Sequence, residues 1–337
     1  MRERRARRAP GPEILDYDAL SRDLLRALRG RRSQVAWSRR LGAKSNIAYM
    51  WESGRRAPTA AKALNAAARA GIDVEDAVRR FYRTPPEWLE RGDVTTRDGV
   101  ATLLDDLRGR TPIGALAERT GRSRFAVSRW LAGDAEPRLP DFLRLLEAAS
   151  LRVLDFIAVL VEPSRLPSIR NAWSELQRAR RAAYEMPWSH AVLRALELTD
   201  YRRLAEHEPG FIARRIGVSV EEESRCLEML ERTGQITRRG RLLEAARPLA
   251  VDTRQNAAAG RKLKAFWSRV ALDRIENGDE QGLFSYNLFS ISEKDYQRLR
   301  ELHLAYFREL RTIVASSTPA ERVIVANVQL FGLDDPK

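Results

Sequence analysis

From about residue 16 to residue 280, apolar positions recur at helical spacing in alanine- and leucine-rich runs that Gly and Pro cut into short pieces. One phrase occurs twice. "QVAWSRRLGAKSNIAYMWESG" spans 34–54, and "ALAERTGRSRFAVSRWLAG" ends at Gly133. An offset of 79 carries Gly42 onto Gly121, Trp51 onto Trp130, Gly54 onto Gly133 and Pro58 onto Pro137, and it also superposes "LRGR" at 28–31 on "LRGR" at 107–110. This is an internal duplication. Each copy predicts a short helix, a glycine turn and a second short helix: 35–41, 42–44 and 45–52 in the first, 114–120, 121–123 and 124–131 in the second. Glycine at the turn admits a left-handed backbone, so the two helices cross steeply.

"TPPEWLERGD" at 84–93, with consecutive prolines, separates the copies, and "EPSRLPS" at 162–168 closes the second. From 188 to about 247 the order is helix, short helix, long helix and a basic Gly-containing hairpin, the order of a winged helix. At the end the pattern changes. "LFSYNLFSIS" (283–292) and "VIVANVQLFGL" (323–333) have strand character. Between them Tyr296, Leu299, Leu302, Tyr306, Leu310 and Ile313 mark one face of a helix, giving a β-α-β order.

The expected architecture is therefore mainly α. It comprises a basic arm (1–15), tandem helix-turn-helix domains (16–83 and 97–162), a winged-helix-like unit (188–250) and a small C-terminal α/β domain (251–337).

Charge adds a direction to this. The formal net charge is +14, and residues 1–83 alone carry 20 Lys and Arg against 9 Asp and Glu. Such a segment suits a polyanion. One cysteine, Cys226, excludes an internal disulfide framework, and no apolar run approaches the length of a membrane span. The basic opening has no apolar stretch after it, so it does not read as a secretory signal. The expectation is a soluble, cytoplasmic, nucleoid-associated protein.

"SQVAWSRRLGAKSNIAYMWESGRRAP" resembles the Cro/cI-type (XRE-like) helix-turn-helix of phage and bacterial repressors in its Gln34, its Gly42 eight residues on, its "WESG" and its following proline. The resemblance implies that Gln34 anchors on a phosphate, that Lys44, Ser45, Asn46, Tyr49 and Met50 face the major groove, and that Arg55 and Arg56 lie along the backbone. Asn46 has the donor and acceptor that adenine N6 and N7 require. Ile47, Ala48 and Trp51 are expected to pack inward. In the second copy Ile113 replaces Gln34 and Leu131 replaces Glu52, yet Arg122, Arg124, Ser128 and Arg129 stay suited to DNA, amid Asp105, Asp106, Asp134 and Glu136. Arg2, Arg4, Arg5, Arg7 and Arg8 of the arm suit general phosphate attraction or a narrow minor groove.

In the third unit Glu221, Glu222 and Glu223 open the long helix. They argue against DNA reading there and for packing or dimerisation, with Arg238, Arg239 and Arg241 in the hairpin as the residues able to touch a backbone. From about residue 253 onward the chain resembles the C-terminal domain of a bacterial family of predicted regulators that join it to an N-terminal helix-turn-helix. Ser285, Tyr286, Asn287, Asn327 and Gln329 are its candidate effector residues. His190, His207 and His303 lack metal-ligand spacing, and Cys226 has no nearby His in sequence, so no catalytic set, metal site or cofactor is expected. Together these readings predict a sequence-specific DNA-binding transcriptional regulator, not an enzyme. It is expected to be a repressor that acts on double-stranded DNA as a homodimer, with an effector or protein partner at the C-terminal domain. The alternative is an antitoxin or protein-interaction adaptor that uses helix-turn-helix scaffolds.

Overall fold

The computed structural model describes residues 15–82, 85–246 and 257–334. The arm residues 1–14, Thr84 of the expected linker and residues 251–256 of the expected C-terminal domain lie outside them. The chain is mainly α-helical and divides into two compact units, Met1–Glu175 and Leu176–Lys337.

The first unit extends the duplication to five helices. The first repeat is α1 (Tyr17–Arg29), α2 (Gln34–Arg40), α3 (Ile47–Glu52), α4 (Ala60–Ala70) and α5 (Val74–Phe81). After α6 (Trp88–Arg91) the second repeat is α7 (Arg97–Arg108), α8 (Ile113–Thr120), α9 (Arg124–Leu131), α10 (Leu139–Ser150) and α11 (Val153–Leu160). Helix starts are fixed locally. Asp16 accepts from the Ala19 amide, Ser33 from Ala36, Asp73 from Asp76, Thr96 from Gly99 and Ser123 from Ala126. Gly42 and Gly121 take φ of 76° and 62° at the two inter-helix turns.

Both repeats build one core, in which Leu20, Leu24, Trp37, Leu64 and Phe81 join Leu103, Leu116, Val127, Phe142 and Phe156. Phe156 packs edge-on to Phe81 (5.4 Å) and Phe142 (5.6 Å), and the Arg152 guanidinium lies 4.0 Å from the centre of the Phe81 ring. The repeats also meet at equivalent positions. Thr59 pairs antiparallel with Arg138, Ala60 N donates to the Pro137 carbonyl at 3.0 Å, and Leu139 N donates to the Pro58 carbonyl at 2.9 Å. Thr59 and Arg138 are 79 apart, and the same offset carries Ala60 onto Leu139 and Pro58 onto Pro137, exchanging the two bonds, so they impose a local two-fold relation between the copies.

The second unit has α13 (Trp188–Ala195), α14 (Thr199–Arg202), α15 (Phe211–Ile216), α16 (Val220–Arg232) and the antiparallel pair β1 (Ile236–Arg239) and β2 (Leu242–Ala245), while the division of the chain falls inside α12 (Arg170–Glu185). Val192, Leu193, Leu196, Tyr201, Ile212, Cys226, Leu230 and Leu243 form its core. Tyr201 is fixed by the Leu243 amide, which donates to its hydroxyl at 3.2 Å. Then come α17 (Ala257–Glu276) and α18 (Glu293–Ser316).

The expected β-α-β order is corrected here. Its helix forms as α18, but 283–292 and 323–333 belong to no strand, and the β1–β2 pair is the only sheet among the described residues. A strand pattern states which faces a segment could bury, whereas a strand also needs a ladder partner, and neither segment meets one among the described residues. The stripe expected on α18 is offset as well. Tyr296, Leu299, His303, Leu304, Phe307 and Leu310 are among the half-buried positions, while Leu302, Tyr306 and Ile313 are exposed.

Candidate nucleic-acid interface

The α2–α3 segment is organised around one carboxylate. Glu52, 4% exposed, receives Arg29 through Nε at 2.6 Å and Nη2 at 3.1 Å, Gln34 Nε2 at 2.9 Å, and Arg26 Nη2 on its backbone carbonyl at 2.8 Å. A buried carboxylate needs such partners, and the bidentate guanidinium supplies charge and geometry together. Gln34, expected on a phosphate, donates one of its side-chain N–H bonds to Glu52 in this arrangement. An arginine partner for Glu52 is expected from the sequence, but not which one: Arg29 lies 23 residues away, and the two meet only when α1 packs on α3.

Ser38, 2% exposed, is the second organiser. Its hydroxyl donates to the Gln34 carbonyl (2.7 Å) and lies 3.2 Å from Asn46 Oδ1, and it accepts from the Ala48 amide (3.0 Å). Asn46 is the N-cap of α3, its Oδ1 accepting from the Tyr49 amide at 3.2 Å. That engages the acceptor expected to read adenine, while Nδ2 meets no partner among the described residues. Ala48 and Trp51 are buried and Ile47 packs against the core, as their spacing implies. Met50, expected in the groove, is half-buried on the core instead. Lys44, Ser45, Asn46, Tyr49, Arg55 and Arg56 are exposed, and the Arg55 guanidinium lies over the Tyr49 ring at 5.2 Å. Lys44, Arg55 and Arg56 form no ion pair. Between Asp23 and Asp73 the only carboxylate is Glu52, so this stretch of chain is cationic and presents no exposed acid of its own.

The second repeat keeps the backbone and changes the chemistry. Ile113 and Leu131, at the positions of Gln34 and Glu52, pack against the core, and Arg108, equivalent to Arg29, pairs instead with Asp105 at 2.6 Å. Arg122 is held by Asp141 at 2.7 Å, and Arg129 lies over the exposed Phe125 ring and donates to the Asp134 carbonyl. Arg124 is exposed and unpaired, and Ser128 is half-buried.

In the second unit Glu223, 1% exposed, accepts from the Gly210 and Ala213 amides (3.2 and 2.6 Å) and so holds the start of α15. Arg238, Arg239 and Arg241 pair with Glu231, Glu244 and Glu206. Burial pushes the Cys226 thiol up to about 12, assisted by Glu222. Burial pushes His190 down to about 4, with the Arg194 charge acting the same way.

Residues 169–333 match a family described as Domain of unknown function (DUF4423), a span just under half of the chain. It begins well before residue 253, where the C-terminal resemblance was placed, and takes in α13–α16 and the hairpin. No curated protein and no solved structure matches the chain. No helix among the described residues is long and apolar enough to cross a membrane.

Proposed function

We propose that the chain is a double-stranded DNA-binding transcriptional regulator of the cytoplasm and nucleoid, a repressor, whose first repeat is a Cro/cI-type helix-turn-helix with α3 as the reading helix. One observation carries this reading. Residues 24–72 hold 11 Lys and Arg and a single carboxylate, which is buried beneath Arg29, so everything they offer to a polyanion is attractive. Arg55 and Arg56 follow α3 where a duplex backbone would run, while Lys44, Ser45, Tyr49 and the Asn46 amide nitrogen face outward at its start. The second repeat is the scaffold that completes the shared core, and it adds Arg124 and Arg129 at most. The winged-helix-like unit is not a reader, since its hairpin arginines are paired and its long helix opens with carboxylates.

The test is fluorescence anisotropy of the full chain on duplex DNA across a salt series. Affinity that falls steeply with salt supports the reading, and no binding at micromolar protein in low salt overturns it. The adaptor reading is favoured by the exposed apolar side chains between 283 and 333, and it requires a partner whose affinity is indifferent to salt.

A further inference from the structure

We propose that residues 283–333 are the surface through which two copies of this chain associate, with the extended segments 283–292 and 323–333 pairing across copies. This does not depend on the DNA reading. Of the 23 large hydrophobic side chains exposed among the described residues, 16 lie in this stretch, including Leu283 (101%), Tyr286 (92%), Leu288 (78%), Phe331 (68%) and Leu333 (76%). Monomers do not ordinarily expose so many large apolar side chains within one stretch of chain.

The attachment of 323–333 is a second observation. The segment is fastened by the Ala320 carbonyl, which accepts from Thr199 N (2.8 Å) and Oγ1 (3.0 Å), and by Asn327 and Gln329, whose amides donate to Ser268 Oγ of α17 at 3.2 and 2.7 Å. Apolar side chains stay exposed on both sides of the segment, Ile324, Val328 and Leu330 on one and Val325, Phe331 and Leu333 on the other, so its attachment leaves most of its apolar surface uncovered. Residues 283–291 and 323–333 also make no backbone–backbone hydrogen bond, so two strand-length rows of donors and acceptors are open to pairing.

The occupant follows from charge and area. Neither "LFSYNLFSIS" nor "VIVANVQLFGL" contains a charged residue, so identical segments approach without repulsion, and nothing in them selects a foreign partner by complementary charge. Sixteen such side chains present on the order of 1,000 Å² of apolar surface, at or above the roughly 800 Å² that each partner of a stable pair contributes.

Sedimentation equilibrium of the full chain without DNA tests this. The expected result is a dimer at micromolar concentration. The double variant Leu288→Glu/Val328→Glu should raise its dissociation constant on the order of 100-fold with helical circular dichroism unchanged. A monomer throughout, an open-ended series of oligomers, or a dimer unmoved by the two charges overturns the proposal. Should the double variant lose its helical signal, Tyr286→Cys decides: Cys226 is buried, so dyes attach at 286 alone, and mixed donor and acceptor chains should transfer energy that unlabelled wild type competes away. Absence of transfer overturns the proposal. DNA affinity enters none of these readings, so failure here and failure of the DNA reading are separately visible.

Discussion

The Glu136 carboxylate accepts the backbone amide of Ala61 at 2.7 Å, so a residue of the second repeat caps a helix of the first. Thr59, the N-cap of α4, makes no side-chain cap bond of its own. At the equivalent start of α10 the position of Ala61 is held by Pro140, which has no N–H to satisfy, and the position of Glu136 is held by Ala57. The two ends of the local two-fold thus solve the same problem differently.

Glu136→Ala should therefore destabilise the first unit by about 1 kcal/mol, the usual worth of a lost cap. Ala61→Pro imports the solution of the second repeat, and in that background Glu136→Ala should cost almost nothing. Chemical denaturation of the four chains of this cycle measures the coupling. Additive costs would mean that Glu136 acts elsewhere.

The duplication was legible because both copies answer to one core: Trp51 with Trp130 and Gly42 with Gly121 are constrained by packing and by positive φ. Helix order in the third unit was legible for the same reason. What was hidden depends on partners distant in sequence. Nothing local pairs Arg29 with Glu52, or assigns Gln34 to that carboxylate when the resemblance implied a phosphate. Alternation at 323–333 announced a strand, but pairing is a property of two segments, and no described residue pairs with this one. On α18 apolar residues lie on both sides, at Leu302 and Tyr306 as well as at Leu299 and Phe307, so periodicity alone could not choose the covered face.

The buried Glu52 makes a sharper demand. Arg29→Ala strands a carboxylate that is almost wholly out of water and should cost about 3 kcal/mol. Adding Gln34→Ile and Glu52→Leu to Arg29→Ala reproduces the apolar pair Ile113 and Leu131 with no charge left unpaired, and should recover more than half of that cost. Thermal and urea denaturation of both variants distinguish the two effects. Equal losses would mean that Arg29 matters for packing and not for the charge it covers.

The second unit should weaken in mild acid. His190 is held at about 4 by burial, against an ordinary 6.5, so in between the unfolded chain binds a proton that the folded chain refuses. Stability is full above 6.5 and declines as pH falls towards 4. His207, also lowered mainly by burial, adds in the same direction. Melting curves at pH 7 and pH 5 should show the loss, and His190→Gln should flatten most of it.

Asn46 and Arg55 separate sequence reading from general attraction. Asn46 Oδ1 is committed to the cap of α3, so alanine there would confuse a lost base contact with a lost helix start. Asn46→Ser keeps an acceptor for the Tyr49 amide while removing Nδ2, the group left to meet a base edge. It should leave the melting temperature unchanged and weaken the preferred site by about 1–2 kcal/mol, with little effect on random DNA. Arg55→Ala should weaken both DNAs alike and lower the salt slope by roughly one unit, because one fewer counterion is released. Anisotropy titrations of both variants on both duplexes at several salt concentrations separate the roles. If Asn46→Ser loses equally on specific and random DNA, α3 contacts phosphate only, and base reading has to be sought in Lys44, Tyr49 or the second repeat.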